Sequence, residues 1–72
     1  MGYISEKEAR EAFNSGKDVT IFDHSIGKQQ KFNRAEIASF FKVRPNSIRF
    51  GDCIRNFRIS KKSKGELSFR AN

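Results

Sequence analysis

The sequence predicts a small single-domain α+β protein whose elements follow the order α-β-β-α-α-β, with an optional further strand at the end. Three observations lead to this class. The apolar residues follow helical spacing at the N-terminus, then alternate with a period of two, then return to helical spacing in the middle of the chain. A length of 72 residues allows one core only. Eight Phe residues and an apolar content of 36% are enough to fill that core.

A first helix is predicted over residues 6–14. Ser5 and Glu8 have the spacing of a capping box, in which each side chain accepts a backbone N–H at the start of the helix. Gly16 stands where a left-handed residue commonly ends a helix. A narrow apolar stripe that includes Phe13 is expected to pack against the core.

A β-hairpin is predicted over residues 18–32. The segment 18–22 alternates in polarity and contains β-branched residues, and a second short strand is expected over 29–32. The polar residues between the strands include Gly27, which can supply the turn.

A second helix is expected to start after Asn33. The Asn33 side chain can accept a backbone N–H at the start of the helix, and Glu36 can reach back to the N–H of Asn33. Ile37, Phe40 and Phe41 then recur at the i, i+3, i+4 spacing of a helix. This spacing predicts that the three side chains form a buried stripe.

A third helix is predicted to begin at Pro45, since a proline suits the first helical position, where its missing N–H would be unpaired anyway. Gly51 either ends this helix or interrupts it. The helix is therefore either short, over 45–50, or extends to Arg55. Together with the preceding helix it forms two short helices joined by a tight corner, within residues 33–55.

Five apolar residues of this helix pair fall at characteristic positions, namely Ile37, Ala38, Phe41, Val43 and Ile48. In these positions the segment resembles, over about twenty residues, the helix-turn-helix of bacterial and phage DNA-binding proteins, the superfamily that includes winged-helix proteins. The resemblance implies binding to DNA. Lys42 departs from the family pattern, which usually has glycine at this corner because the residue there tends to need a positive φ.

The C-terminal segment, residues 56–70, has two alternative interpretations. Apolar and polar residues alternate over 56–60 and over 66–69, and a Lys-rich stretch with a glycine connects the two runs. Two short strands around a basic tip would form the wing of a winged-helix protein. The alternative is a flexible basic tail, because chain termini are often disordered.

The net charge of +7 is unevenly divided along the chain. Residues 1–33 carry five Lys/Arg and five acids, whereas residues 34–72 carry ten Lys/Arg and three acids. The whole positive excess therefore lies in the part that contains the predicted helix-turn-helix. This segregation indicates a polyanionic partner, with double-stranded DNA as the first expectation.

The candidate DNA contacts lie in and around the predicted third helix. Arg49 is the candidate for a base contact because its planar group can make two hydrogen bonds to a guanine, and Asn46 is the next candidate, suited to adenine. The candidate phosphate contacts are Arg44, Ser47, Lys42, Arg55, Arg58, Lys61, Lys62 and Lys64. If about six of these engage phosphates, the logarithm of the affinity should fall with the logarithm of the salt concentration with a slope of about −5.

Catalysis, a cofactor and a metal site are not expected. Asp23, His24 and Ser25 are adjacent on a loop, whereas a nucleophile, its base and the orienting residue converge from separate elements. One cysteine, Cys53, and one histidine cannot assemble a structural zinc site.

No apolar run approaches the ~20 residues that cross a bilayer. We therefore expect no membrane association and a cytoplasmic protein, nucleoid-associated if it binds DNA.

The leading expectation is a small basic double-stranded DNA-binding protein, such as a transcriptional or phage regulatory factor. Two other functions stay open. Binding of RNA or single-stranded nucleic acid would need Phe50 and Phe57 exposed, so that their rings could stack on unpaired bases. A phage-type inhibitor would instead use the basic face to bind a host protein. A homodimer also stays open, because a dimer is the usual way for a small DNA-binding domain to gain affinity.

Overall fold

The computed structural model describes residues 2–72. In chain order its elements are α1 (Glu6–Asn14), β1 (Val19–Asp23), β2 (Lys28–Phe32), α2 (Arg34–Phe41), a 3₁₀ turn (Pro45–Ser47), α3 (Phe50–Lys61) and β3 (Ser68–Ala71). The strands form one antiparallel sheet, and the predicted single-domain α+β class is confirmed. In the part of the chain described, no helix has the length and apolar character needed to cross a membrane.

The predictions for the N-terminal half are confirmed. The capping box of α1 is present, with Ser5 Oγ accepting the N–H of Glu8 at 3.1 Å and Glu8 Oε1 accepting the N–H of Ser5 at 3.0 Å. Gly16 and Gly27 have φ values of 89° and 65°, so each supplies the left-handed residue that ends its helix or turn. β1 and β2 pair as the predicted hairpin.

The sheet has the order β2-β1-β3, so β1 is its central strand. Phe69 of β3 lies opposite Ile21 of β1 in the antiparallel register. Both side chains are buried in the core, which packs against one face of the sheet. The strand predicted over 66–69 therefore exists with shifted bounds, and it pairs with the hairpin rather than with a wing partner.

The core is built around the aromatic ring of Phe50. Its centroid lies 5.5 Å from that of Phe13 in α1 and 5.6 Å from that of Phe69. Cys53 is buried one turn further along α3, and desolvation raises the pKa of its thiol to about 12. The core residues are Ala9, Phe13, Val19, Ile21, Phe32, Ala38, Ile48, Phe50, Cys53, Phe57 and Phe69.

The predicted bounds of the third helix are wrong. The residues from Pro45 form only a single 3₁₀ turn, and α3 begins at Phe50 and continues to Lys61. Gly51 lies in the first turn of α3 and neither ends nor divides it. The segment 56–60, predicted as a strand, is the C-terminal half of this helix.

The burial of α3 explains this difference. Phe50, Cys53 and Phe57 fall on one helical face and are all buried, which favours a helix that starts at Phe50. Asp52 adds a start signal, because its Oδ2 accepts the backbone N–H of Arg49 at 3.1 Å. Ile59, predicted to lie beside Phe57 on a strand, instead points to solvent.

The corner after α2 has the conformation that was predicted for it. Lys42 is left-handed, with φ 58° and ψ 44°. The N–H of Val43 donates to the carbonyl of Ala38 at 3.0 Å, which satisfies an acceptor at the end of the helix. Lys62 ends α3 in the same way, with φ 55°. Both lysines occupy a backbone region that glycine adopts at lower cost.

The predicted buried stripe of α2 is wrong for two of its three members. Asn33 caps the helix as expected. Ile37 is half-buried, but Phe40 and Phe41 are exposed, and Ala38 is the buried residue of the helix. The apolar residues of α2 therefore face both the core and the solvent.

A buried carboxylate ties the hairpin turn to the segment that follows α3. Asp23 accepts hydrogen bonds from the Ser25 hydroxyl, from the Ser25 N–H at 3.0 Å and from the Ser63 hydroxyl. Arg58 holds the same segment from the other side, since its Nη1 donates to the carbonyl of Gly65 at 2.9 Å. Residues 61–67 are thus neither a wing nor a free tail.

The hydrogen bonds lower the pKa of Asp23 to about 2. The hydroxyls of Ser25 and Ser63 contribute most, the backbone N–H groups of Ser25 and Gly65 add to them, and burial acts in the opposite direction. Because the pKa in the folded state lies below the ordinary value of about 3.9, the charged carboxylate stabilises the fold above that value. This contribution disappears as the pH falls from about 4 towards about 2.

We expect Asp23→Asn to lower the midpoint of thermal unfolding at pH 7, because it replaces a charged acceptor of several hydrogen bonds with a neutral group. The difference between the variant and the native chain should shrink as the pH falls from about 5 to about 2. Calorimetry over this pH range measures both effects. Glu66→Gln, which removes an exposed carboxylate, is the matched control and should change little. Equal midpoints of the native chain and Asp23→Asn at pH 7 would contradict the role of Asp23.

Lys42→Gly and Lys62→Gly should each stabilise the fold by up to about 1 kcal/mol, since both positions are left-handed. Chemical denaturation gives the free energies of unfolding. Lys64→Gly removes the same side chain at a position without a positive φ, so it should not stabilise the fold.

Candidate nucleic-acid interface

The segment that joins α2 to α3, residues 42–49, is exposed and basic, and we name it the basic connection. It contains Lys42, Arg44 and Arg49, and the sequence has no acid from residue 37 to residue 51. All three side chains are exposed. Within residues 2–72 none of them forms an ion pair. The basic connection therefore presents cations that are available to an external anion.

Arg34 holds the basic connection in place. Its Nε donates to the carbonyl of Pro45 at 2.8 Å, and its Nη1 donates to the carbonyl of Asn14 at 3.3 Å. Its guanidinium carbon lies 6.0 Å from the centroid of the Phe13 ring. The side chain is half-buried, so these bonds are partly shielded from water. Arg34 thus joins the end of α1, the start of α2 and the 3₁₀ turn.

The 3₁₀ turn is closed by its own hydrogen bonds. The Ser47 hydroxyl and the Ser47 N–H both donate to the carbonyl of Arg44, at 2.6 and 3.0 Å. Ile48 is buried and anchors the end of the turn in the core. The Ser47 hydroxyl thus stabilises the turn in this structure, and since it has one proton it would have to give up this bond to donate to a phosphate. Its role as a phosphate contact stays a prediction.

The candidate base contacts lie outside the helix that was predicted for them. Asn46 is exposed in the 3₁₀ turn, and Arg49 occupies the position just before α3. The Asp52 carboxylate accepts the backbone N–H of Arg49, and the Arg49 guanidinium forms no ion pair with a described residue. Arg49 therefore stands at the N-terminus of α3.

Three arginines from different elements meet at a cleft beside the N-terminus of α3. The cleft has a volume of about 350 Å³, and Arg10, Arg34 and Arg49 line it together with Asn14 and Gly51. Arg10 also pairs with Glu6 at 3.0 Å, but both side chains are about half exposed, so the pair is weak. This cleft concentrates positive charge that the order of residues along the chain does not reveal.

The sequence contains no signal that would have identified Arg10 and Arg34 as members of this site. Arg10 belongs to the electrically neutral N-terminal part of the chain and to a capped surface helix. Only the packing of α1 against α3 brings it beside Arg49. The start of α3, by contrast, was readable from the spacing of Phe50, Cys53 and Phe57.

Apart from Arg55, the other predicted phosphate contacts do not form one surface with the basic connection. Arg55 is exposed on α3 and stays a candidate. Arg58 is half-buried and donates to the carbonyls of Ser63 and Gly65, so it is a structural residue. Three lysines lie at or after the C-terminal end of α3, which is about 18 Å from its start because the helix has 12 residues. They are Lys61, the last residue of α3, and Lys62 and Lys64, which follow it.

The rings that single-stranded binding would need are not available. Phe50 and Phe57 are both buried in the core, as their contacts with α1 and the sheet require. An unpaired base cannot stack on them without unfolding the domain. The burial of Phe50 and Phe57 therefore disfavours single-stranded nucleic-acid binding by stacking on these two rings.

Comparisons of the chain with protein-family models, with curated proteins and with solved structures find no match. The geometry of the chain's own residues is thus the basis for assigning a function.

Arg34→Ala should destabilise the fold by about 1–2 kcal/mol, because it leaves carbonyls of the 3₁₀ turn and of α1 without their donor. Arg34→Lys should recover little of the stability that Arg34→Ala loses, since an ammonium cannot reproduce the two diverging hydrogen bonds of the guanidinium. Arg44→Ala removes an exposed arginine nearby, and its free energy of unfolding should stay within about 0.5 kcal/mol of that of the native chain. Free energies of unfolding from denaturant titration check all three, and equal losses for Arg34→Ala and Arg44→Ala would contradict the anchoring role.

Proposed function

We propose that this protein binds double-stranded DNA through the basic connection and the first turn of α3. The meeting of Arg10, Arg34 and Arg49 at one cleft is the observation that supports this proposal best. The exposed Lys42 and Arg44 extend the same positive surface along the connection. Cations that outnumber the nearby acids in this arrangement favour a ligand with closely spaced negative charges.

A DNA phosphate suits the part of the cleft between Arg10, Arg34 and the first turn of α3 for three physical reasons. Guanidinium groups bind phosphate oxygens through charge-assisted and often bidentate hydrogen bonds. The N-terminus of α3 carries a partial positive charge and backbone N–H groups without partners within the helix. Gly51 has no side chain, so a phosphate can approach the backbone of the first turn closely.

In this proposal α2 and α3 take the roles of the two helices of a helix-turn-helix. Arg49, at the N-terminus of α3, is the residue that reads a guanine edge in the major groove. Asn46 in the preceding turn is the second base contact. Arg10 and Arg55 join Lys42 and Arg44 as phosphate contacts. The left-handed Lys42 supports this assignment, because the corner of the motif needs that conformation.

Arg49→Ala should abolish the preference for guanine at one position of the site and weaken the best sites by about 10-fold or more. Selection from a randomised duplex pool with the native chain and the variant measures the preference. Lys28→Ala, which removes one exposed cation beside the hairpin turn, is the matched control and should leave both the preference and the affinity unchanged. Four phosphate contacts predict a salt slope of about −3.5 for the native chain.

The outcomes separate the parts of the proposal. Failure of the native chain to bind duplex at low salt would refute DNA binding. If Arg49→Ala weakened all sequences equally and reduced the salt slope by about 1, Arg49 would be a phosphate contact and the base assignment would be wrong. Lys42→Gly should weaken binding although it stabilises the fold, whereas Lys62→Gly should stabilise the fold and leave binding unchanged. Tighter binding to single-stranded DNA or RNA than to duplex would favour the alternative ligand class.

A further inference from the structure

An apolar groove runs between α2 and α3, on the side of α3 that carries Asp52, Asn56 and Ile59, and we name it the α2–α3 groove. It consists of two adjoining depressions of about 300 and 320 Å³ that share Ile37, Phe41 and Asn56. Its walls extend from Asp52 to Lys61 along α3. This distance is about 14 Å, which corresponds to two to three turns of a helix.

Large apolar side chains stand exposed in and beside this groove. Phe40 is 80% exposed and Ile59 is 72% exposed, while Phe41 and Val43 are 50% and 45% exposed. Phe40 and Phe41 touch each other edge to face, with ring centroids 5.2 Å apart. Scattered exposed residues need no explanation, but a contiguous apolar patch of this kind marks an interaction surface.

We propose that the α2–α3 groove binds an amphipathic helix of a partner protein, with acidic residues beside its apolar face. An extended groove between two helices accepts apolar side chains spaced i, i+4 and i+7 on such a helix. The Phe41 and Ile59 side chains would contact these residues in the centre of the groove, and Phe40 would close over one side.

The charges around the groove determine the chemistry of the partner. Arg55 and Lys61 line it, and Lys42 directly follows Phe41. The Asp52 carboxylate also lines it near the start of α3 and keeps its negative charge, since a hydrogen bond from the N–H of Arg49 does not neutralise it. The cations outnumber this single acid, and acidic flanks on the partner would complement the net positive charge.

The same charges argue against the other occupants. A second copy of this chain would bring its own Arg55 and Lys61 against these cations, and each copy carries a net charge of +7. A single-stranded nucleic acid would leave aliphatic groups such as Ile37 and Ile59 without apolar contacts. The groove thus lies beside the proposed DNA surface, but it has a different chemistry and a different ligand class.

A display library of helical peptides of about 16 residues tests the proposal. Each peptide carries leucine at i, i+4 and i+7, and its flanking positions are randomised among acidic, neutral and basic residues. We expect selection on the native chain to enrich acidic flanks. Selected peptides should bind the double variant F40A/I59A at least about 10-fold more weakly. Arg55→Glu should shift the enrichment away from acidic flanks.

Controls keep the result interpretable. Both residues of F40A/I59A are exposed, so this variant should keep its midpoint of thermal unfolding within about 3 °C. Tyr3→Ala removes an exposed aromatic residue on the sheet side of the molecule and should not change peptide binding. Arg49→Ala should weaken DNA binding and leave peptide binding unchanged, so that the failure of one proposal is distinguishable from the failure of the other.

Three results would overturn the proposal. The first is that selection enriches neutral or basic flanks, or that it yields no peptide whose binding depends on Phe40 and Ile59. The second is sedimentation of the native chain as a dimer that F40A/I59A converts to a monomer, which would assign the groove to a second copy. The third is single-stranded DNA binding that F40A/I59A abolishes, which would assign Phe40 to base stacking.

Discussion

The burial of Phe50 is the packing constraint on which most of this structure depends. Its ring contacts Phe13 of α1 and Phe69 of β3, so one side chain joins the N-terminal helix, the last helix and the last strand. A helix that begins at Phe50 places this ring on the same buried face as Cys53 and Phe57. The basic connection must then join the end of α2 to Phe50. Arg49 therefore lies at the N-terminus of α3, beside the arginines of α1 and α2.

A buried polar contact fixes the chain at the C-terminal end of α3, as the burial of Phe50 fixes it at the start of the helix. The Asp23 carboxylate is inaccessible to solvent, but it is surrounded by donors from the hairpin turn and from the segment after α3. A buried charge is tolerated only when hydrogen bonds compensate for the lost water. Ser63 therefore has to lie within hydrogen-bonding distance of the Asp23 carboxylate. The chain is thereby directed into β3 and towards β1, the central strand. This explains why basic residues that resemble a wing form a fixed loop.

α2 differs from the other helices because it contributes little to the core. Its start is well held, since Asn33 caps it and also donates to Asp18 at 2.7 Å, and Arg34 binds the carbonyl of Pro45. Its far end exposes two phenylalanines and passes through the left-handed Lys42. The apolar groove and the basic connection therefore lie on either side of one corner. A protein partner and a nucleic acid would thus bind to adjacent surfaces of this small domain.

Local signals in the sequence determined α1, the hairpin and the start of α2. Each of these depends on hydrogen bonds or backbone angles within a few residues, so the order of residues is sufficient to predict them. The left-handed corner at Lys42 was expected only from the resemblance to helix-turn-helix proteins, because lysine itself disfavours that conformation. Tertiary structure alone decided which strand β3 joins and that Arg10 meets Arg49. It also decided that Phe40 faces outward, although its helical spacing is that of a buried stripe. The physical reason is that burial depends on partners distant in the chain, and periodicity shows that a side chain is apolar without showing what covers it.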